Sequence, residues 1–247
     1  MQHSPDAAPM QARIVDLPTR SGTPPLPAWG RESCGRMRIV VYSQYYRARD
    51  LERQREIDTC LAHNRQHPQI SQVVLLVEEG APAPPQGPVP CECLRHDSRL
   101  TYADWLRLVP RESDAIALLI NADIHLAEGL EHLPSVFDRP ETFLALTRYN
   151  PRPEGGTSLN DYPHWTQDCW GVRGDAPISA GLLHASGFPL GFPGCDNTSP
   201  RCSGATASCS RTPATTCAAC TATPTQAAVT TKPTTASTAA SPTCIPP

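Results

Sequence analysis

Four short polar segments hold most of the residues able to do chemistry. "INADIHL" offers Asn121 and Asp123, two oxygen donors separated by one residue. "LTRYN" offers Arg148. "HWTQDCW" sets Gln167 and Asp168 between Trp165 and Trp170, and the glycine-turned "LGFPGCDN" carries Asp196 and Asn197. Each segment has an ordinary explanation. An acid at a strand end commonly forms a turn or caps a helix, so Asp123 can cap a helix opening near residue 127. Asp196 can bond its own backbone in a type I turn. The tryptophans suit a core as well as a sugar-stacking platform, and Arg148 suits a phosphate or carboxylate partner. Considered together, carboxylates gathered at one place repel one another unless a cation or a substrate joins them.

Buried strands must carry these segments to one place. "RIVVYS" (38–43), "QVVLLVEE" (72–79) and "DAIALLINAD" (114–123) are apolar, β-branched runs of the kind buried on both faces. Between the first two, residues 50–66 set Leu51, Ile57, Cys60 and Leu61 on one helical stripe. A strand, a helix and a strand within about 40 residues make a βαβ unit and a parallel pair. A Pro/Gly loop (80–90), a helix over 100–110 stopped by Pro110, and a helix over 127–138 come next. A strand over 142–150, a Gly/Pro-rich loop (151–164) and a fifth strand over 169–174 complete the pattern. This alternation predicts an α/β fold with a mostly parallel sheet flanked by helices. In such sheets ligands bind beyond the carboxyl ends of the strands, where the polar segments fall.

The composition divides in two. Residues 198–247 contain 14 Thr, 11 Ala, 6 Ser and 7 Pro, and no Asp, Glu, Leu, Phe, Trp, Tyr or His. Such a segment cannot bury enough apolar surface to offset its ordering entropy and is not expected to fold alone. Residues 1–36 are Pro-rich and aperiodic, with Met37 just before the first strand, and are expected to form a disordered leader. The domain is thus placed at 37–197. Residues 1–197 hold 18 basic and 24 acidic side chains, a mildly acidic balance that argues against a nucleic-acid partner. No stretch approaches the roughly 20 apolar residues of a membrane span. The first residues lack the apolar run of a signal peptide, so a cytoplasmic location is expected. Of the 11 cysteines, Cys91 and Cys93 are either soft metal ligands or thiols at a strand edge, and Cys217 and Cys220 have redox or zinc spacing in a segment not expected to fold.

The segments "NADI", "ALTR", "QDCW" and "LGFPGCDN", in that order, resemble those of a group of glycosyltransferase-like proteins with the GT-A fold. The resemblance covers roughly residues 37–197. It implies a nucleotide-sugar donor, a hydroxyl acceptor, and Mg²⁺ or Mn²⁺ held on the donor pyrophosphate where an Asp-x-Asp pair usually stands. Here that place is filled by Asn121 and Asp123, so Asp123 would be the metal ligand. Together with Arg148 these residues would hold the donor phosphates. The "LGFPGCDN" turn is similar to the "WGWGGEDD" turn of beta-galactosyltransferases, which puts Asp196 in the place of the general base. Gln167, Asp168, Trp170 and Asn197 would contact the acceptor or the sugar.

GT-A enzymes commonly continue past that acid with a helix, a strand and a His that completes the metal site. Residues 198–247 hold none of these. Shifted by one base, "TCAACT" can encode Leu-Arg-Cys-Leu-His, an apolar strand ending in a metal ligand. A frameshift near residue 198 is therefore one reading of the tail, with impaired activity and an incompletely covered core as its consequences. A Thr/Ser/Pro-rich linker or glycosylated stalk is the other. Two further functional readings stay open: a carbohydrate- or nucleotide-binding relative without catalysis, which Asn121 favours, and a nucleotidyltransferase. The last would want a glycine-rich basic loop after the first strand, where "SQYYRARD" has Arg47 and Arg49 but no glycine.

Overall fold

The apolar runs form the centre of a sheet, and short polar connections place their ends side by side. The computed structural model describes residues 13–16, 37–96, 98–110, 113–152, 154, 156–159, 167–191 and 220–222. In chain order the elements are β1 (Arg13–Asp16), β2 (Arg38–Tyr45), α1 (Leu51–Asn64), β3 (Ile70–Val77), β4 (Cys91–Arg95), α2 (Tyr102–Leu108), β5 (Ala115–Ile120) and β6 (Ile124–Leu126). A 3-10 turn (Leu130–His132) and α3 (Leu133–Val136) come next, then β7 (Phe143–Thr147), β8 (Tyr149–Pro151), β9 (Thr157–Leu159), β10 (Gln167–Arg173), α4 (Ala180–Ala185) and β11 (Cys220–Ala222).

Seven strands make the main sheet, in the order β1-β4-β3-β2-β5-β10-β7. The pairs β1–β4, β4–β3, β3–β2 and β2–β5 are parallel. β10 lies antiparallel to both β5 and β7, so β7 points the same way as β5. The chain moves outward from β2 through β3, then crosses β2 to reach β5. The strand order therefore reverses between β2 and β5, the kind of point at which open α/β sheets commonly bind ligands. A smaller sheet has the order β6-β11-β8-β9.

Each face of the main sheet is covered by its own cluster. Ile57 and Leu61 of α1 pack with Val41, Leu75, Leu118 and Phe137. Trp105 and Leu106 of α2 pack with Tyr42, Leu119 and Trp170 on the other face. All six residues of β5 are buried, as its unbroken apolar run predicts. α1 starts at Asp50, whose carboxylate accepts from the Arg53 N–H, and α2 starts with a Thr101–Asp104 capping box. No helix among the described residues is long and apolar enough to cross a membrane.

Several boundaries differ from those expected of the sequence. Leu51 is 76% exposed and lies off the buried stripe, because six residues of helix rotate it a third of a turn from Ile57. The helix expected over 127–138 shrinks to one 3-10 turn and one short helix, with Pro134 at its start. The strand expected over 142–150 is two strands, because the chain leaves the main sheet at Arg148 and enters the smaller one. Cys91 and Cys93 lie in β4, as buried free thiols. Two segments expected to lack regular structure each supply a strand, one at the edge of the main sheet and one between β6 and β8 of the smaller sheet. In the 1–36 segment, Arg13–Asp16 pairs with β4; in the 198–247 segment, Cys220–Ala222 pairs with β6 and β8. The remainder of both segments lies outside the described residues.

Candidate functional site

Three of the four polar segments meet at one edge of the sheet. Ser43 of β2 stands opposite Ile120 of β5, so Asn121 emerges beside the carboxyl end of β2. The antiparallel partner β10 brings Asp168 to the same place, where the Asn121 N–H donates to the Asp168 carbonyl at 3.0 Å. The β10–β7 register shifts between Gln167 and Cys169. Asp168 is the extra residue of this irregularity, a place where strands re-aim a side chain.

The Asp168 carboxylate is 5% exposed and fully occupied. Its Oδ1 accepts from Asn121 Nδ2 at 2.7 Å and its Oδ2 from Arg148 Nη1 at 2.8 Å. Arg148 Nε donates in turn to Asn150 Oδ1 at 2.9 Å. A buried carboxylate needs such partners to stay charged. The arrangement also sets what the neighbours present. With Nδ2 spent on Asp168, Asn121 has its Oδ1 left as an acceptor. Among the described residues no acceptor is bonded to Arg148 Nη2.

Asp123 takes part in a different contact. Its Oδ2 accepts from Arg53 Nη1 of α1 at 3.0 Å, and the same nitrogen meets Glu56 Oε2 at 2.5 Å. Burial works against the Arg53 charge, but Asp123, Glu56 and Tyr46 outweigh it and push the guanidinium pKa above its ordinary value. Asp123 is thus held by an ion pair and does not cap the following helix. The Asn121 carbonyl closes the turn by accepting from the Ile124 N–H at 3.1 Å.

The far end of α1 fixes the chain beyond this turn through residues that spacing and motif did not single out. Asn64 is buried, and its Nδ2 donates to the Ile124 carbonyl at 3.0 Å while its Oδ1 accepts from the Leu126 N–H at 2.8 Å. His67 Nε2 bonds the Ala127 carbonyl at 2.9 Å. His63 stacks on His125 with centroids 4.9 Å apart. Burial first, then the nearby His63, lower the His125 pKa. An Asn on the buried stripe of an amphipathic helix was the available signal, since a buried amide needs partners.

The fourth segment enters this edge at its first glycine. The Leu190 N–H donates to the Leu100 carbonyl at 2.9 Å. Gly191 comes next with φ +64, and a Cβ there would stand 2.8 Å from Gln44 Oε1 and 3.2 Å from Arg99 Nη2. The segment thus starts over the carboxyl end of β2. Asp196 and Asn197 lie outside the described residues, as does Trp165. Of the residues expected to touch acceptor or sugar, Gln167 opens β10 at intermediate burial. Asp168 is buried and positions its neighbours. Trp170 is 1% exposed and packs edge-on against Tyr102 at 5.1 Å, so it belongs to the core. Among the described residues no group of three or more His, Cys, Asp or Glu side chains is placed to hold a metal ion.

No family model matches the chain, and no curated protein matches it. Among solved structures, the crystal structure of HddC from Yersinia pseudotuberculosis is similar at 10% identity with a TM-score of 0.29, covering 57% of this chain and 80% of that one. A likeness of that strength carries no argument about the site.

Proposed function

We propose that the chain is a glycosyltransferase-like protein of the GT-A type. The strand ends that gather Asn121, Arg148 and Asp168 receive a nucleotide-sugar, and the reaction is transfer of the sugar to a hydroxyl acceptor. The supporting observation is that Asn121, Arg148 and Asp168, up to 47 residues apart in sequence, are joined directly by hydrogen bonds. They meet beside the point where the strand order reverses. In this reading Arg148 presents a guanidinium to the donor phosphates and Asn121 Oδ1 accepts from a hydroxyl. Asp168 holds both in place, and Asp196 takes the acceptor proton.

Calorimetric titration of the full chain with UDP, GDP, CDP and ADP tests this. One of the four is expected to bind, and Arg148→Met to weaken it about tenfold or more, the worth of a charged hydrogen bond. No binding across the four would overturn the proposal. A non-catalytic nucleotide-binding relative is the second reading, favoured by the ion pair that occupies Asp123. It predicts the same affinity without release of sugar from any of the corresponding nucleotide-sugars.

A further inference from the structure

We infer that this strand-end edge takes its anionic ligand without a divalent cation, Arg53 and Arg148 supplying the positive charge that a metal would otherwise bring. The inference rests on the nucleotide-sugar reading and concerns how the same site neutralises a diphosphate.

The donor set does not suit a hard dication. Mg²⁺ and Mn²⁺ want one or two carboxylates with oxygens free to enter the coordination shell. Three carboxylates are described about the turn where Asn121 and Asp123 leave β5, and each has a guanidinium on it. Arg53 Nη1 lies 3.0 Å from Asp123 and 2.5 Å from Glu56, and Arg148 lies 2.8 Å from Asp168. A dication at any of them would be placed within a few ångströms of a fixed positive charge. Asp168 is further closed by the Asn121 amide on its other oxygen and by its burial. The remaining donor, Asn121, is neutral.

The same geometry suits an anion. A guanidinium donates strong, charge-assisted hydrogen bonds to phosphate oxygens. Arg148 has Nη2 to offer, and Asp168 fixes the plane in which it is offered. Arg53 is 37% exposed on its side chain, so it can reach a ligand while still held by Asp123 and Glu56. The acids thus orient the arginines, and the arginines carry the contact.

Two measurements on the full chain test this. In the first, the nucleoside diphosphate that binds is titrated in EDTA and again in Mn²⁺. Affinities within about twofold are expected, with Arg53→Met and Arg148→Met each weakening the EDTA affinity about tenfold. A nucleotide that binds only with Mn²⁺ would overturn the inference and leave the nucleotide-sugar reading standing. A nucleotide that fails in both buffers overturns that reading, and this inference with it. In the second, Mn²⁺ alone is added to the unmodified chain and its free-ion electron paramagnetic resonance signal is followed. An undiminished signal is expected. Stoichiometric loss of signal, restored by Asp123→Asn, would show that the cation displaces Arg53 and would overturn the inference.

Discussion

Asp168 decides what its neighbours can do. Replacing it by Asn leaves Arg148 without its buried counter-charge and turns a donor toward the Asn121 amide. Breaking a fully buried pair costs about 3–5 kcal/mol. Arg148 is one-third exposed and can turn to water, so a loss of about 2 kcal/mol is expected for Asp168→Asn, read from the urea midpoint. The complementary change, Asn121→Asp, sets two carboxylates where a 2.7 Å hydrogen bond now runs. One of the two must then keep a proton to higher pH than usual. A carboxyl whose folded pKa is raised costs stability above its unfolded pKa, near ~4. The variant is therefore expected to approach the parent's stability in acid and to fall behind as pH rises. Equal denaturant midpoints for the two chains at neutral pH would contradict this. The same repulsion gives a physical reason for an amide where the resemblance leads one to expect an acid.

At the scale of elements, α1 reads the whole segment from Asp123 to Ala127. Arg53 holds one end, and Asn64 and His67 hold the other. The half-buried His125 in that segment has a lowered pKa, through burial and then His63. Its folded pKa lies below the unfolded value, so the native state binds fewer protons and stability rises with pH. The His125 contribution is complete above about pH 6.5 and is lost as pH falls toward its folded pKa. His125→Phe is expected to flatten thermal stability over that window and to change it little at pH 8. On the opposite side, Gly191 has a left-handed backbone that strains any other residue, and a Cβ there would have to push aside the ends of Gln44 and Arg99. Gly191→Ala meets both strain and Gln44. A loss of about 1–3 kcal/mol is expected on unfolding, with nucleotide affinity falling as the segment is displaced from the end of β2. These elements are only partly legible in the sequence. Long apolar runs announce β2, β3 and β5, because burial on both faces leaves an unbroken signal. β6 and β9 escape notice, β8 merges with β7, and β4 shows only as the strand edge suggested for Cys91 and Cys93, because runs of three to five residues, one interrupted by Glu92, are too short to show a period.

For the whole molecule, the sequence disclosed the layered architecture better than the site. Alternation of strands and helices implied the sheet, its flanking helices and the edge at which polar segments gather. It did not imply that β10 runs backwards between β5 and β7, since strand direction depends on pairing partners distant in sequence. The pairing of Asn121 with Asp168, and of Asp123 with Arg53, arises from that topology and from α1, not from spacing along the chain. Trp170 suited both a core and a sugar platform from sequence alone, and only its 1% exposure, edge-on to Tyr102, places it in the core.

The reversed strand also orders events during synthesis. Domains form as the ribosome releases them, and distant strand pairing is slow. β5 and β7 leave the ribosome before β10, and they are joined only through it. Until Arg173 is released, the nascent chain keeps two open strand edges, an Asn121 with no carboxylate to orient it, and an Arg148 with no counter-charge. The strand that closes the sheet is thus the one that brings Asp168 to Asn121 and Arg148, so the sheet and this polar edge are completed together.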